Sequence, residues 1–170
     1  PSLLFHKGEN KMILFLLVVF IVALDQLVKF WAVHVLMSGP SIVLIPGIFQ
    51  LTYVENRGAA FSFLENHIAF FVIATLVVLL AIIYAFYSKL IRTRLGHLAL
   101  VFVSGGAIGN FLDRIFHGYV VDMFYFELID FPVFNVADIF IVIGGILFAY
   151  YILIQHDKVN NKEPKHGQND

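Results

Sequence analysis

No cysteine occurs anywhere in the 170 residues. Disulfides, thiolate metal sites and cysteine nucleophiles are thereby excluded. Charge is almost as scarce: Asp, Glu, Lys and Arg together make up 14% of the chain, where a soluble domain carries about 25%. No basic face and no interleaving of basic with aromatic residues suggests a nucleic-acid partner. The place of charge is taken by apolar side chains, at 60% of residues and a mean hydropathy of +0.87. That is more than a water-soluble core of this size can hide, and the composition is that of a membrane protein.

Four apolar runs predict an all-α membrane protein with four transmembrane helices at about 12–36, 67–87, 98–116 and 134–154. Each is close to the ~20 residues that a spanning helix needs. Lys7 and Lys11 ahead of the first run also fit a signal peptide. That reading fails because no A-x-A-like site follows and the apolar pattern resumes beyond Asp25 through Phe30, Trp31 and Val35. Residues 1–11 are read as a cytoplasmic arm, set aside from the fold argument as a processed or appended end. Residues 12–154 are read as one integral-membrane domain, and the polar residues 155–170 as a disordered cytoplasmic tail.

Between the first two runs the pattern changes. Gly39-Pro40, Pro46-Gly47 and Asn56-Arg57-Gly58 are turn signals. They bound residues 42–45 and 48–54, the second alternating Phe49, Leu51 and Tyr53 with Gln50 and Thr52. These are strand signatures, and they predict a small extracytoplasmic β platform over about 39–66. The basic residues set the orientation. Lys7, Lys11, Lys89, Arg92, Arg94, Lys158, Lys162 and Lys165 all fall in the N-terminal arm, the connection after the second run, or the tail. The other two connections hold only Arg57. Both termini are therefore expected in the cytoplasm, with the platform and the acidic loop outside.

The few charges concentrate between Ser104 and Asp138. Gly105 and Gly109 stand at the GxxxG spacing that lets a neighbouring helix approach. Asn110, Asp113 and Arg114 follow on one helical face, with Arg114 read as a cation that orients carboxylates brought in from elsewhere. Past Gly118 the chain is expected to enter an aromatic-rich loop holding Asp122, and Pro132 then sets up the last run, with Asn135 and Asp138 in its first turns. Asp122 and Asp138 fall at the same depth, just inside the outer surface. Two carboxylates converging there cannot both ionise cheaply, which suits an acid–base pair of the aspartic-protease kind. Ion-coupled transporters use intramembrane carboxylates as well. A relay would spread them through the membrane, whereas here they crowd towards one face. On the first run, Asp25 and Lys29 are four apart and can pair.

These residues resemble the bacterial lipoprotein signal peptidases, or signal peptidase II, aspartic peptidases of the inner membrane. The resemblance rests on Asp25-Gln26 with Lys29, on the run from Asn56 through Gly58 to Ser62, and on Gly105 to Asn110 followed by Asp113-Arg114. Gly118, Val120-Val121-Asp122 and the run Phe131 to Asp138 complete it. It implies Asp122 and Asp138 as the catalytic dyad. It also implies Asn56, Asn110, Arg114 and Asn135 around the substrate, with Asp25, Lys29 and Gly58 as supporting positions. The implied substrate is a prolipoprotein whose cysteine already carries diacylglycerol, cut just before that cysteine. Membrane lipids are the surroundings, the expected state is a monomer, and no metal or organic cofactor is implied. Met123 and Ile139 depart from the Phe and Ser often found beside the dyad.

Overall fold

The computed structural model of the chain describes residues 9–58, 68–88, 90–91 and 93–155. The expectations for residues 1–8, for 59–67 with the end of the Asn56 motif, for Lys89 and Arg92, and for 156–170 fall outside these.

Four helices are long and apolar enough to cross a membrane, and the chain is a multi-pass membrane protein of four helices with a small sheet. Helix α1 (Glu9–Leu36) leads into strands β1 (Ile42–Ile45) and β2 (Phe49–Asn56). Helices α2 (Ile68–Tyr87) and α3 (Arg94–Phe116) follow, then strand β3 (Val120–Phe126) and a 3-10 turn (Glu127–Ile129). Helix α4 (Val136–Tyr150) ends in a π-helical turn, Tyr151–Gln155. Helix α3 starts a turn ahead of the apolar run because Thr93 caps it, its side chain accepting from the Gly96 N–H.

Helix α3 is the axis of the bundle. Over half of its most apolar stretch is buried, against 6% for α2. Its small residues make that possible. Gly105 and Gly109 lie against Ile21 and Asp25 of α1, and Gly106 lies against the backbone of Ala137 on α4. A Cβ on any of the three would run into these neighbours, so the GxxxG stripe is a true packing seam. The outward faces carry Phe15, Phe20 and Leu27 of α1, Ile73, Val77 and Leu80 of α2, and Val142 and Ile146 of α4, all exposed. In water that would be untenable; in lipid it is the expected outer surface.

The sheet has three antiparallel strands in the order β1-β2-β3. The third strand corrects the aromatic-loop reading of residues 119–126. Val120, Val121, Met123, Phe124, Tyr125 and Phe126 are β-branched, aromatic or apolar and suit a pleated, half-buried surface. The strand pairs along β2 from Phe49↔Phe126 to Asn56↔Val120. Gly118, at φ 76°, makes the turn into it, its N–H donating to the Arg114 carbonyl at 3.2 Å. Val121 and Met123 bury against Ala32 and Leu36 of α1, which fixes the sheet on the ends of the helices. Met123 is wholly buried there, so this departure beside Asp122 is a core residue, whereas Ile139 is exposed on α4.

Candidate active site

Where the sheet meets the bundle, five elements bring polar side chains to one place. Strand β2 supplies Asn56 at its last position and β3 supplies Asp122, which stands opposite Val54 in the sheet. Helix α3 supplies Asn110, Asp113 and Arg114, and α1 supplies Asp25, Gln26 and Lys29. The start of α4 supplies Asn135 and Asp138 through a capping box: the Asn135 side chain accepts from the Asp138 N–H, and the Asp138 carboxylate accepts from the Asn135 N–H. The cap that starts the helix also sets the Asp138 carboxylate.

Both carboxylates are held by amide donors. Asp122 accepts from Asn56 Nδ2 at 2.9 Å and from Asn135 Nδ2 at 2.6 Å. Asp138 accepts from Asn110 Nδ2 at 2.8 Å and from the Asn135 N–H at 3.2 Å. Each asparagine is turned the right way by a group that can only donate. The Gly58 N–H donates to Asn56 Oδ1 at 3.0 Å, the Asp138 N–H to Asn135 Oδ1 at 3.0 Å, and the Lys29 ammonium to Asn110 Oδ1 at 2.8 Å. With its oxygen taken, each amide must aim its NH2 group away, at a carboxylate or a neighbouring oxygen. Asn135 also donates to Asn110 Oδ1 at 3.0 Å, joining the two halves of the site.

Asp122 is 1% exposed. Burial first, and the Asp138 carboxylate second, push its carboxyl up to about 7, against the two asparagine donors that favour the charged form.

Behind the asparagines lies a second cluster. Lys29 Nζ is 2.9 Å from Asp25 and 3.0 Å from Asp113, with all three side chains buried. Asp25 also accepts from the Ala137 N–H at 2.9 Å, tying α1 to α4, and Asp113 from the Val121 N–H at 3.0 Å, tying α3 to β3. Gln26 donates to Asp113 at 3.0 Å and reaches the Gly109 carbonyl at 3.2 Å. The pair expected of Asp25 and Lys29 thus exists, but Asp113 and Gln26, given no role from sequence, are equal members. Their signal was present: Asp113 follows Gly109 by one helical turn, on the seam facing α1.

Arg114 lies to the other side. Its described hydrogen bond goes to the Asn110 carbonyl at 3.4 Å, and its guanidinium sits 5.1 Å from the centre of the Phe71 ring. It acts on Asp138 and Asp122 through its charge. With Asn110 and Asp138 it forms the polar end of a cavity of about 310 Å³ between α2, α3 and α4, whose remaining wall includes Phe71, Val78, Val103 and Ile141. The geometry offers two buried carboxyl groups linked through Asn135 and Asn110, with one of them and the Arg114 cation lining an apolar chamber. That suits hydrolysis of a substrate with a greasy part.

Comparison with known proteins agrees with this chemistry. The family described as signal peptidase (SPase) II matches residues 17–154. The lipoprotein signal peptidase of Caldanaerobacter subterraneus subsp. tengcongensis is 46% identical over 140 residues, covering 82% of this chain and 94% of that protein. That of Clostridioides difficile is 40% identical over 151 residues, covering 86% and 99%. A bacterial membrane enzyme solved by the in meso method at 2.3 Å superimposes with a TM-score of 0.78 at 33% identity, over 91% of this chain and 94% of that one. With a match spanning all four helices and the sheet between them, the chain belongs to the signal peptidase II family of membrane peptidases.

Proposed function

We propose that this peptidase is of the aspartic type. It removes the signal peptide from diacylglyceryl-modified prolipoproteins, cutting just before the lipid-modified cysteine, and Asp122 and Asp138 form the dyad that activates water. One observation carries the reading: two buried carboxyl groups are each hydrogen-bonded by asparagine amides and joined through Asn135 and Asn110, and one of them, Asp138, lines an apolar cavity. In the reaction, the ionised member takes a proton from water as its oxygen attacks the peptide carbonyl. The protonated member gives its proton to the carbonyl oxygen or the departing amine. A carboxyl group at about 7 supplies that proton at neutral pH without being too weak an acid to part with it.

Arg114, Asn56, Asn110 and Asn135 position the substrate and the dyad, with Asp25, Lys29 and Gly58 supporting them. The enzyme works as a monomer in the inner membrane, its site near the outer face and both termini in the cytoplasm. The substrate enters sideways from the lipid with its acyl chains.

The test is cleavage of a diacylglyceryl-modified prolipoprotein peptide by the purified protein, beside Asp122→Asn and Asp138→Asn. The expected result is cleavage by the unaltered enzyme and a loss of more than about a thousandfold in each variant, both remaining folded. Activity surviving either substitution would remove that residue from the dyad. No cleavage by the unaltered enzyme in a suitable lipid would remove the peptidase chemistry itself and call for proton-flux measurements.

A further inference from the structure

Of the four groups that donate to an asparagine oxygen of the site, two are backbone N–H groups, one is the Asn135 amide, itself a member of the set, and one is the Lys29 ammonium. The backbone donors come with the fold. Lys29 is different: it stands on α1, an element that contributes no group in hydrogen-bond contact with Asp122 or Asp138 among the described residues. We infer that Lys29 is a positioning residue for catalysis, acting on Asp138 through Asn110, and not only a partner in a structural ion pair. The inference rests on the dyad reading above.

An ammonium group has three donors and no acceptor, and Lys29 spends them on Asp25, Asp113 and Asn110 at 2.9, 3.0 and 2.8 Å. Two carboxylates would hold a buried lysine without help from Asn110, so the third bond is not needed to pair the charge. What it does is fix an ambiguity. An asparagine amide turned by 180° exchanges its oxygen for its NH2 group. Facing an ammonium, only the oxygen is tolerable, so the NH2 group must face Asp138. Without Lys29, Asn110 Oδ1 keeps the Asn135 donor alone. The inverted amide would then set a carbonyl oxygen against the Asp138 carboxylate, acceptor against acceptor. The bond from a cation also polarises the amide, which strengthens the bond its NH2 group makes to Asp138.

The Gly109 seam is what allows this. Only with α1 drawn against α3 at Gly109 and Asp25 can a lysine one turn further reach Asn110 on the next helix. The residue is 3% exposed, so substrate does not touch it.

Lys29→Met alone leaves two buried carboxylates unpaired and tests folding more than positioning. Asp25→Asn/Lys29→Met removes one charge of each sign and leaves Asp113 its Val121 and Gln26 donors. Purified and assayed on the prolipoprotein peptide, this variant is expected to keep a cooperative thermal transition. Its kcat should fall by about tenfold to a hundredfold, the effect of one charge-assisted bond, with KM changed by less than about threefold. A folded variant with the kcat of the unaltered enzyme, or with its loss confined to KM, would overturn the proposal.

Should that variant not fold, the unaltered enzyme carries the test. With 15N-labelled asparagine, the Asn110 side-chain amide protons are expected to exchange slowly and show one orientation. Fast exchange or two interconverting orientations would overturn the proposal. This measurement needs no substrate, so its outcome stands apart from failure of the peptidase reading.

Discussion

Asp122 is held in a carboxyl environment that its folded neighbours make costly to ionise. Its ordinary value is 3.8 and burial, aided by Asp138, lifts it to about 7. Between those two values the folded chain binds a proton that the unfolded chain has released. Folding stability from this group therefore falls as pH rises across that window, by an amount on the order of 4 kcal/mol. Asp122→Asn removes the titration. The variant is expected to show a shallower fall in thermal midpoint between pH 5 and 8, and to be more stable than the unaltered enzyme at pH 8, while cleaving nothing. Parallel pH curves for the two proteins would show that Asp122 does not titrate there. At this scale, Asp122, Asp138 and the asparagines, which the structure brings together, were legible as candidates because polar residues are rare enough in this chain to stand out. Spacing set Asp113 on one helical face with Asn110 and Arg114 but gave it no role in the site, although neighbouring residues on a helix point roughly 100° apart and can turn to different partners. Nothing local shows that Asp113 turns to Lys29 while Arg114 turns to Phe71.

Among the elements, the α1–α3 seam decides whether the site assembles. A Cβ on Gly109 would stand 2.5 Å from the Asp25 carboxylate, which itself reaches Ala137 on α4. Gly109→Ala therefore pushes α1 away and strains the buried cluster together. The expected cost is about 1–3 kcal/mol, read as a lowered thermal midpoint in detergent, with cleavage reduced as Lys29 withdraws from Asn110. Gly145→Ala on α4 is the control: nothing lies within 4 Å of the new methyl group, and removing a helical glycine should leave stability equal or raise it by up to about 1 kcal/mol. Equal losses in the two variants would mean that glycine content, not the seam, was being measured. The four helices were legible because hydropathy is a property of each run by itself. Strand β3 was not, although Val120 to Phe126 has strand composition. Its aromatic residues also suit a membrane interface, and only pairing with β2, more than sixty residues away, separates the two readings.

For the whole molecule, topology places all the chemistry at one end. The ends of α1 and α3 pack against the sheet, the start of α4 is joined to it through the Phe124–Phe134 bridge, the start of α2 stands by chain order at the same end, and the opposite end carries the turn between α2 and α3. Which end faces outward is a matter of charge. Lys7, Lys11, Lys89, Arg92, Arg94, Lys158, Lys162 and Lys165 lie in the arm, around that turn and in the tail, and the positive-inside rule predicts that end on the cytoplasmic side. On the proposed reading, a substrate already carrying diacylglycerol and exported across the membrane meets its peptidase at the outer leaflet, which predicts the same orientation. The chain has no cysteine of its own, so single cysteines report position without background. Leu128 in the 3-10 turn after β3 and Leu90 between α2 and α3 are both exposed, at opposite ends. In spheroplasts, Leu128→Cys is expected to react with a membrane-impermeant maleimide at once, and Leu90→Cys only after the cells are opened. The reverse pattern would place the carboxylates on the cytoplasmic side, where an exported substrate never arrives. It would refute the outward site even if the purified enzyme cleaved its peptide.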